Sequence, residues 1–151
     1  MTVRLTGRRG LPQLDRARLR RRAAGILRAL GLPEAELSVQ LIGDAEMAEL
    51  NGRYRRRRGP TDVLSFSLVE GHFAERRGAL LGDVVVSLET AARQAGRGRR
   101  TLEDEVLRLL VHGVLHLIGH DHVRAREARA MRAEERRVMR ALRAQVRELR
   151  A

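Results

Sequence analysis

Between Leu102 and Ile118 the chain reads LEDEVLRLLVHGVLHLI, and beyond Glu105 every position except Arg108, His112 and His116 is apolar or glycine. A helix of that composition is apolar on most of its sides, so the other elements have to pack around it. Thr101 and Asp104 match a capping box that opens it, and Gly119 is placed to break it. At 151 residues the chain is long enough for a core around such a helix and short for two cores, so one domain over residues 1–151 is expected.

The remaining elements follow from periodicity. A weak strand is expected over Val3 to Thr6, then a helix over roughly Gln13 to Leu30 with Leu19, Ala23, Ile26, Leu27 and Leu30 on one face. Gly31 and Pro33 end it. Leu37, Val39 and Leu41 alternate with Ser38 and Gln40, the pattern of a half-buried strand, and a short helix from about Asp44 to Tyr54 follows. DVLSFSL places Leu64, Phe66 and Leu68 on one face of a further strand, and LLGDVVVS is the apolar run of a buried one. These two are expected to pair antiparallel. Ser87 is placed to cap a helix running to about Ala95. Ala128, Met131, Val138, Leu142, Val146 and Leu149 have the spacing of a closing helix packed on the rest.

Charge points to a partner. The formal charge is +12, from 31 basic against 19 acidic residues, which favours a polyanion, and nucleic acid over membrane. All of the basic residues are arginine, as a genome-wide coding bias would also produce, so position says more than number. Arg20, Arg21 and Arg22 read as the solvated face of an amphipathic helix. Arg53 and Arg55 to Arg58 lie in RYRRRRGP, where Gly59 and Pro60 signal a loop. No apolar run is long enough to span a bilayer, and MTVRLTGRRG lacks the apolar segment of a signal peptide, so a cytoplasmic chain without a membrane partner is expected.

HGVLHLIGHDH, residues 112 to 122, holds four of the five histidines. On a helix His112 and His116 project from one face, a turn apart, close enough to share a metal ion. A turn at Gly119 can bring His122 to the same point, and three imidazoles would leave one position of a tetrahedral ion open, as in catalytic zinc. With no cysteine in the chain, a transition metal has to be held by histidine and carboxylate. His72 and His120 do not fit the helical register and are expected at the surface or beside the ligands. Asp121 is placed either to fix a ligand imidazole or to cap the turn. The spacing is similar to that of zinc peptidases with H-E-x-x-H, but their general base is replaced here by Gly113, so a phosphodiester substrate suits the site better.

The chain resembles the YbeY family of bacterial endoribonucleases. HGVLHLIGHDH matches the family signature H-G-x-L-H-L-x-G-Y-D-H except that His120 stands for Tyr, and LNGRYR with PTDVLSFS resembles a second block in which Ser67 replaces Pro. LGDVVVS with Gln94 and Ala95 resembles a third, and Glu105 matches an acidic residue ahead of the histidines. The resemblance covers 96 residues, Glu36 to Met131. It implies an α+β fold, a small mixed sheet packed with helices and a metal helix lining a groove. It also implies one zinc ion on His112, His116 and His122, a functional Arg55 beside the metal cleft, and cleavage of single-stranded RNA in small-subunit rRNA 3′-end maturation and ribosome quality control. The family's departures here are His120 and Arg58, the latter where an acidic residue is common. Single-stranded RNA, rRNA and the ribosome are the expected partners, with no DNA, and the oligomeric state is not indicated. Two other readings stand beside this one: an rRNA-binding module whose metal is structural, and a zinc hydrolase of another substrate such as peptides.

Overall fold

The computed structural model describes residues 2–67, 80–120 and 124–150, with side chains as far as residue 145. Four strands, β1 (Thr2–Gly7), β2 (Glu36–Ile42), β3 (Val63–Ser67) and β4 (Leu80–Ser87), form one sheet in the order β1-β2-β4-β3. β1, β2 and β4 run parallel, and β3 pairs antiparallel with β4, Val63 opposite Val86 and Ser67 opposite Gly82. Five helices accompany them: α1 (Arg16–Ala29), α2 (Asp44–Arg55), α3 (Leu88–Arg97), α4 (Leu102–Leu117) and α5 (Ala125–Arg150). The fold is α+β, as expected.

β4 is largely apolar, Asp83 and the terminal Ser87 apart, because both of its faces are covered. Leu81, Val84 and Val86 join the larger core beneath α1, α3, α4 and α5, whereas Val85 faces the opposite side with Ile42, Met47 and Leu64 beneath α2. The face changes out of step at a bulge, where Glu36 lies opposite Leu80 but Ser38 lies opposite Asp83. Gly82 occupies that bulge at φ 151°, and a Cβ there would lie 2.2 Å from the Phe66 carbonyl oxygen. Only glycine lets β3 and β4 come together at this point.

α4 is the central helix. Val106, Leu107, Leu109, Leu110, Val111, Val114 and Leu115 are all buried. Thr101 caps it by accepting from the Asp104 N–H at 3.1 Å. At the other end the His120 N–H reaches the Leu115 carbonyl and the Gly119 N–H reaches that of His116, a Schellman turn with Gly119 at φ 102°. The helix therefore stops one residue after the turn that carries His116.

Two expectations shift in detail. α1 starts at Arg16 because the Asp15 carboxylate accepts from the Arg18 N–H at 2.9 Å and fixes the first turn there. Arg22 is not on a solvated face: its side chain is 14% exposed and pairs with Glu103 at 2.5 Å and Asp104 at 3.0 Å, joining α1 to the start of α4. Arg20 and Arg21 are exposed as expected. Among the described residues no helix is long and apolar enough to cross a membrane. Leu68 and His72 lie outside the described residues.

Candidate active site

One helical turn separates His112 from His116, and their Nε2 atoms lie 3.2 Å apart with the rings at 77°. The Nδ1 atom of His112 is 2.8 Å from Oε1 of Glu135 on α5. An ionised carboxylate only accepts, so the Nδ1–H of His112 is the donor, and its Nε2 faces that of His116. The hydrogen bond from His112 holds the Glu135 carboxyl below its ordinary value, against the burial that pushes it up. Glu135 is 22% exposed and His112 32%, so the pair is screened from water only in part.

Why a carboxylate stands there follows from α5. Met131, Glu135, Val138 and Leu142 share the helix face that packs inward, and Met131, Val138 and Leu142 are buried. Glu135 is thus an ionisable residue at a core-facing position, and His112 is its partner. The sequence reading missed it. The available signal was that interruption of the apolar stripe, which only a partner on another element could offset.

His112, Glu135, Ala128, Met131 and Arg132 line a cavity of about 320 Å³ between α4 and α5. His112 is the α4 residue that faces it. Behind the histidines the helix lies against the sheet. A Cβ on Gly113 would lie 2.7 Å from Cγ1 of Val84 and 3.0 Å from Oγ of Ser65. A side chain on the residue after His112 would collide with β3 and β4 in this packing.

Arg55 reaches this region through β3. It belongs to the last turn of α2 and not to the loop, because Arg56 ends the helix in the left-handed region at φ 53°. Its Nη2 donates to the Ser65 carbonyl at 3.3 Å, and the Ser65 hydroxyl donates to the Gly113 carbonyl at 2.9 Å. Two hydrogen bonds thus link the arginine to the residue beside His112. Arg53 instead pairs with Glu49 on its own helix.

The acidic residue ahead of the histidines, Glu105, is fully buried and lies between Arg100 and Arg108. Asp62 accepts from Gln94 at 3.2 Å, which ties the start of β3 to α3. Both are scaffold contacts of the site. His120 is partly buried and contributes its backbone N–H to the end of α4. Asp121 and the expected third ligand, His122, lie outside the described residues, and among the described ones no three metal-ligating side chains come together.

The family described as "Endoribonuclease YbeY" matches this chain over residues 11–143. A protein of that name from Anaeromyxobacter sp. (strain Fw109-5) is 48% identical over 131 residues, 87% of this chain and 67% of its own length. One from Geobacter metallireducens is 42% identical over 130 residues, covering 86% of this chain and 87% of its own. In structure the chain is similar to a Thermotoga maritima protein solved in solution, with a TM-score of 0.67 at 23% identity, covering 97% of this chain and 92% of that one.

Proposed function

Because the chain belongs to the YbeY family of endoribonucleases, we propose that it cleaves single-stranded RNA with the help of one zinc ion held by His112, His116 and His122. Its place is the cytoplasm, in maturation of the small-subunit rRNA 3′ end and in ribosome quality control, and one domain over residues 1–151 carries the activity. The observation behind the metal reading is the 3.2 Å between the two Nε2 atoms. Two imidazole nitrogens on one tetrahedral zinc lie about 3.4 Å apart, given zinc–nitrogen bonds of about 2.1 Å. With its Nδ1–H given to Glu135, the neutral tautomer of His112 carries a lone pair on Nε2, which can face either the N–H of His116 or a metal ion. The spacing of the two described imidazole nitrogens suits a zinc ion.

Zinc in such a position supplies Lewis acidity to a phosphoryl oxygen. The chain's own residues do the rest. Glu135 keeps the proton of His112 on Nδ1 and so keeps Nε2 free to donate its lone pair. Arg55, tied through Ser65 to the residue after His112, offers a planar fork suited to two oxygens of one phosphate and to the charge that grows on them. Gly113 provides no base, which suits RNA, whose 2′-hydroxyl next to the scissile phosphate is an attacking group built into the substrate.

Metal content and cleavage test this together. Purified protein should carry about one zinc per chain and cut a single-stranded RNA, and chelation should stop the cutting until zinc is restored. His116→Ala should lose both metal and cleavage. Full zinc occupancy in His116→Ala, or undiminished cleavage by zinc-free protein, would sink the assignment.

A further inference from the structure

We propose that Tyr54 is a stacking subsite for a nucleobase of single-stranded RNA, next to the phosphate position at Arg55. The inference deepens the RNA reading above and rests on it. The chain has two phenylalanines, one tyrosine and no tryptophan, so each aromatic ring is a scarce resource in it. Phe66 is partly buried against the smaller core, yet Tyr54 is 57% exposed, and among the described residues it is the large apolar side chain left open to water.

Position gives the exposed ring its meaning. Tyr54 and Phe66 meet edge to face, with centroids 5.4 Å apart at 75°. Phe66 lies on β3 one residue from Ser65, which carries the Arg55 contact on its carbonyl and the Gly113 contact on its hydroxyl. The ring is therefore braced by the strand that joins Arg55 to the histidine helix. The αL cap at Arg56 turns the chain immediately afterward into the run of arginines. An aromatic face beside arginines is the arrangement by which single strands are held, bases on rings and phosphates on cations. A base paired in a duplex has no free face to offer, so the same ring selects unpaired RNA.

The chain's composition makes the test direct. Tyr54 is the one tyrosine and there is no tryptophan, so tyrosine emission reports on this ring alone. The full chain, kept in chelator to prevent cleavage, is titrated with a single-stranded oligouridylate, an abasic strand of equal length and inorganic polyphosphate, with binding followed independently by anisotropy. Oligouridylate should change the emission, while the abasic strand and polyphosphate bind and leave it unchanged. Tyr54→Ala should weaken oligouridylate binding roughly five- to hundredfold. Tyr54→Phe should bind like the wild type, and neither variant should alter polyphosphate binding. Oligouridylate binding with unchanged emission, or equal affinities for wild type and Tyr54→Ala, overturns the subsite and leaves the RNA reading standing. No binding of oligouridylate at all overturns the RNA reading itself, and the subsite with it.

Discussion

Glu135 anchors one ring nitrogen of His112, whereas among the described residues Arg55 is held by one backbone contact, and that difference sets what each is expected to tolerate. Glu135 holds the Nδ1–H of His112, and removal of such an outer partner typically costs 10- to 100-fold in metal affinity. Glu135→Ala should therefore weaken zinc by about that factor with the circular dichroism unchanged. Glu135→Gln should lose less, since its amide oxygen still accepts from Nδ1. Equal zinc affinities for wild type and Glu135→Ala, by competition with a chelating dye, would remove Glu135 from the site. Among the described residues Arg55 makes one hydrogen bond, to the Ser65 carbonyl. Arg55→Ala should keep fold and zinc but slow single-turnover cleavage on the order of 10²-fold, as loss of one transition-state donor does. Arg55→Lys should restore part of the rate, because it keeps the charge without the fork. A wild-type rate in Arg55→Ala would end its catalytic assignment. His112 and His116 were legible in the sequence because helical spacing alone puts them on one face. Glu135 lies 23 residues away from His112 on another helix, and no local pattern connects the two.

At the level of elements, capping and alternation were legible and long-range ion pairs were not. Thr101 and Ser87 start α4 and α3 as their positions require, and β3 with β4 forms the expected antiparallel pair. Arg22 shows the limit: a helical wheel places it between Leu19 and Ile26, but its carboxylate partners are more than 80 residues further along the chain. Asp44 at the start of α2 is a second such node. Its carboxylate accepts from Ser87 Oγ at 2.7 Å and Thr90 Oγ1 at 2.6 Å and pairs with Arg93 at 2.8 Å, which binds α2 to α3. Burial pushes the Asp44 carboxyl up, but the two hydroxyls and Arg93 together outweigh it and the net shift is downward. A carboxyl lowered on folding stabilises the fold above its unfolded value, and that contribution is lost as the pH falls through the folded one. Asp44→Asn should thus cost about 1–2 kcal/mol at pH 7. The gap between wild type and variant should narrow on acidification below the ordinary value of 3.8. Denaturant melts at pH 7 and pH 3 measure it; a gap that does not change with pH would show that the ionised form of Asp44 is not what joins the two helices.

Taken as a whole, the molecule separates what folds it from what it binds. The sheet and the helices around it meet through apolar side chains, and His112 lies at the margin of α4 where it borders the groove. Zinc fingers differ, because there the metal replaces a core that the chain is too short to build. Here the buried face of α4 is complete without the imidazoles: Val106, Leu107, Leu110, Val111, Val114 and Leu115 are fully enclosed by neighbouring apolar residues. Removal of zinc is therefore expected to leave the far-UV circular dichroism intact. Binding still couples to stability, since an ion that binds only the folded chain adds RT ln(1 + [L]/Kd), about 2.7 kcal/mol at a hundred times Kd. For a chain of this size each kcal/mol moves the midpoint by about 2–4 °C, so saturating zinc should raise Tm by roughly 5–10 °C over the chelated protein. His116→Ala should melt at the same temperature with and without zinc. Unfolding of the wild type on chelation would make the metal structural, and would favour an RNA-binding module over an enzyme. A Tm indifferent to zinc would mean that the two nitrogens 3.2 Å apart hold no ion in the folded chain.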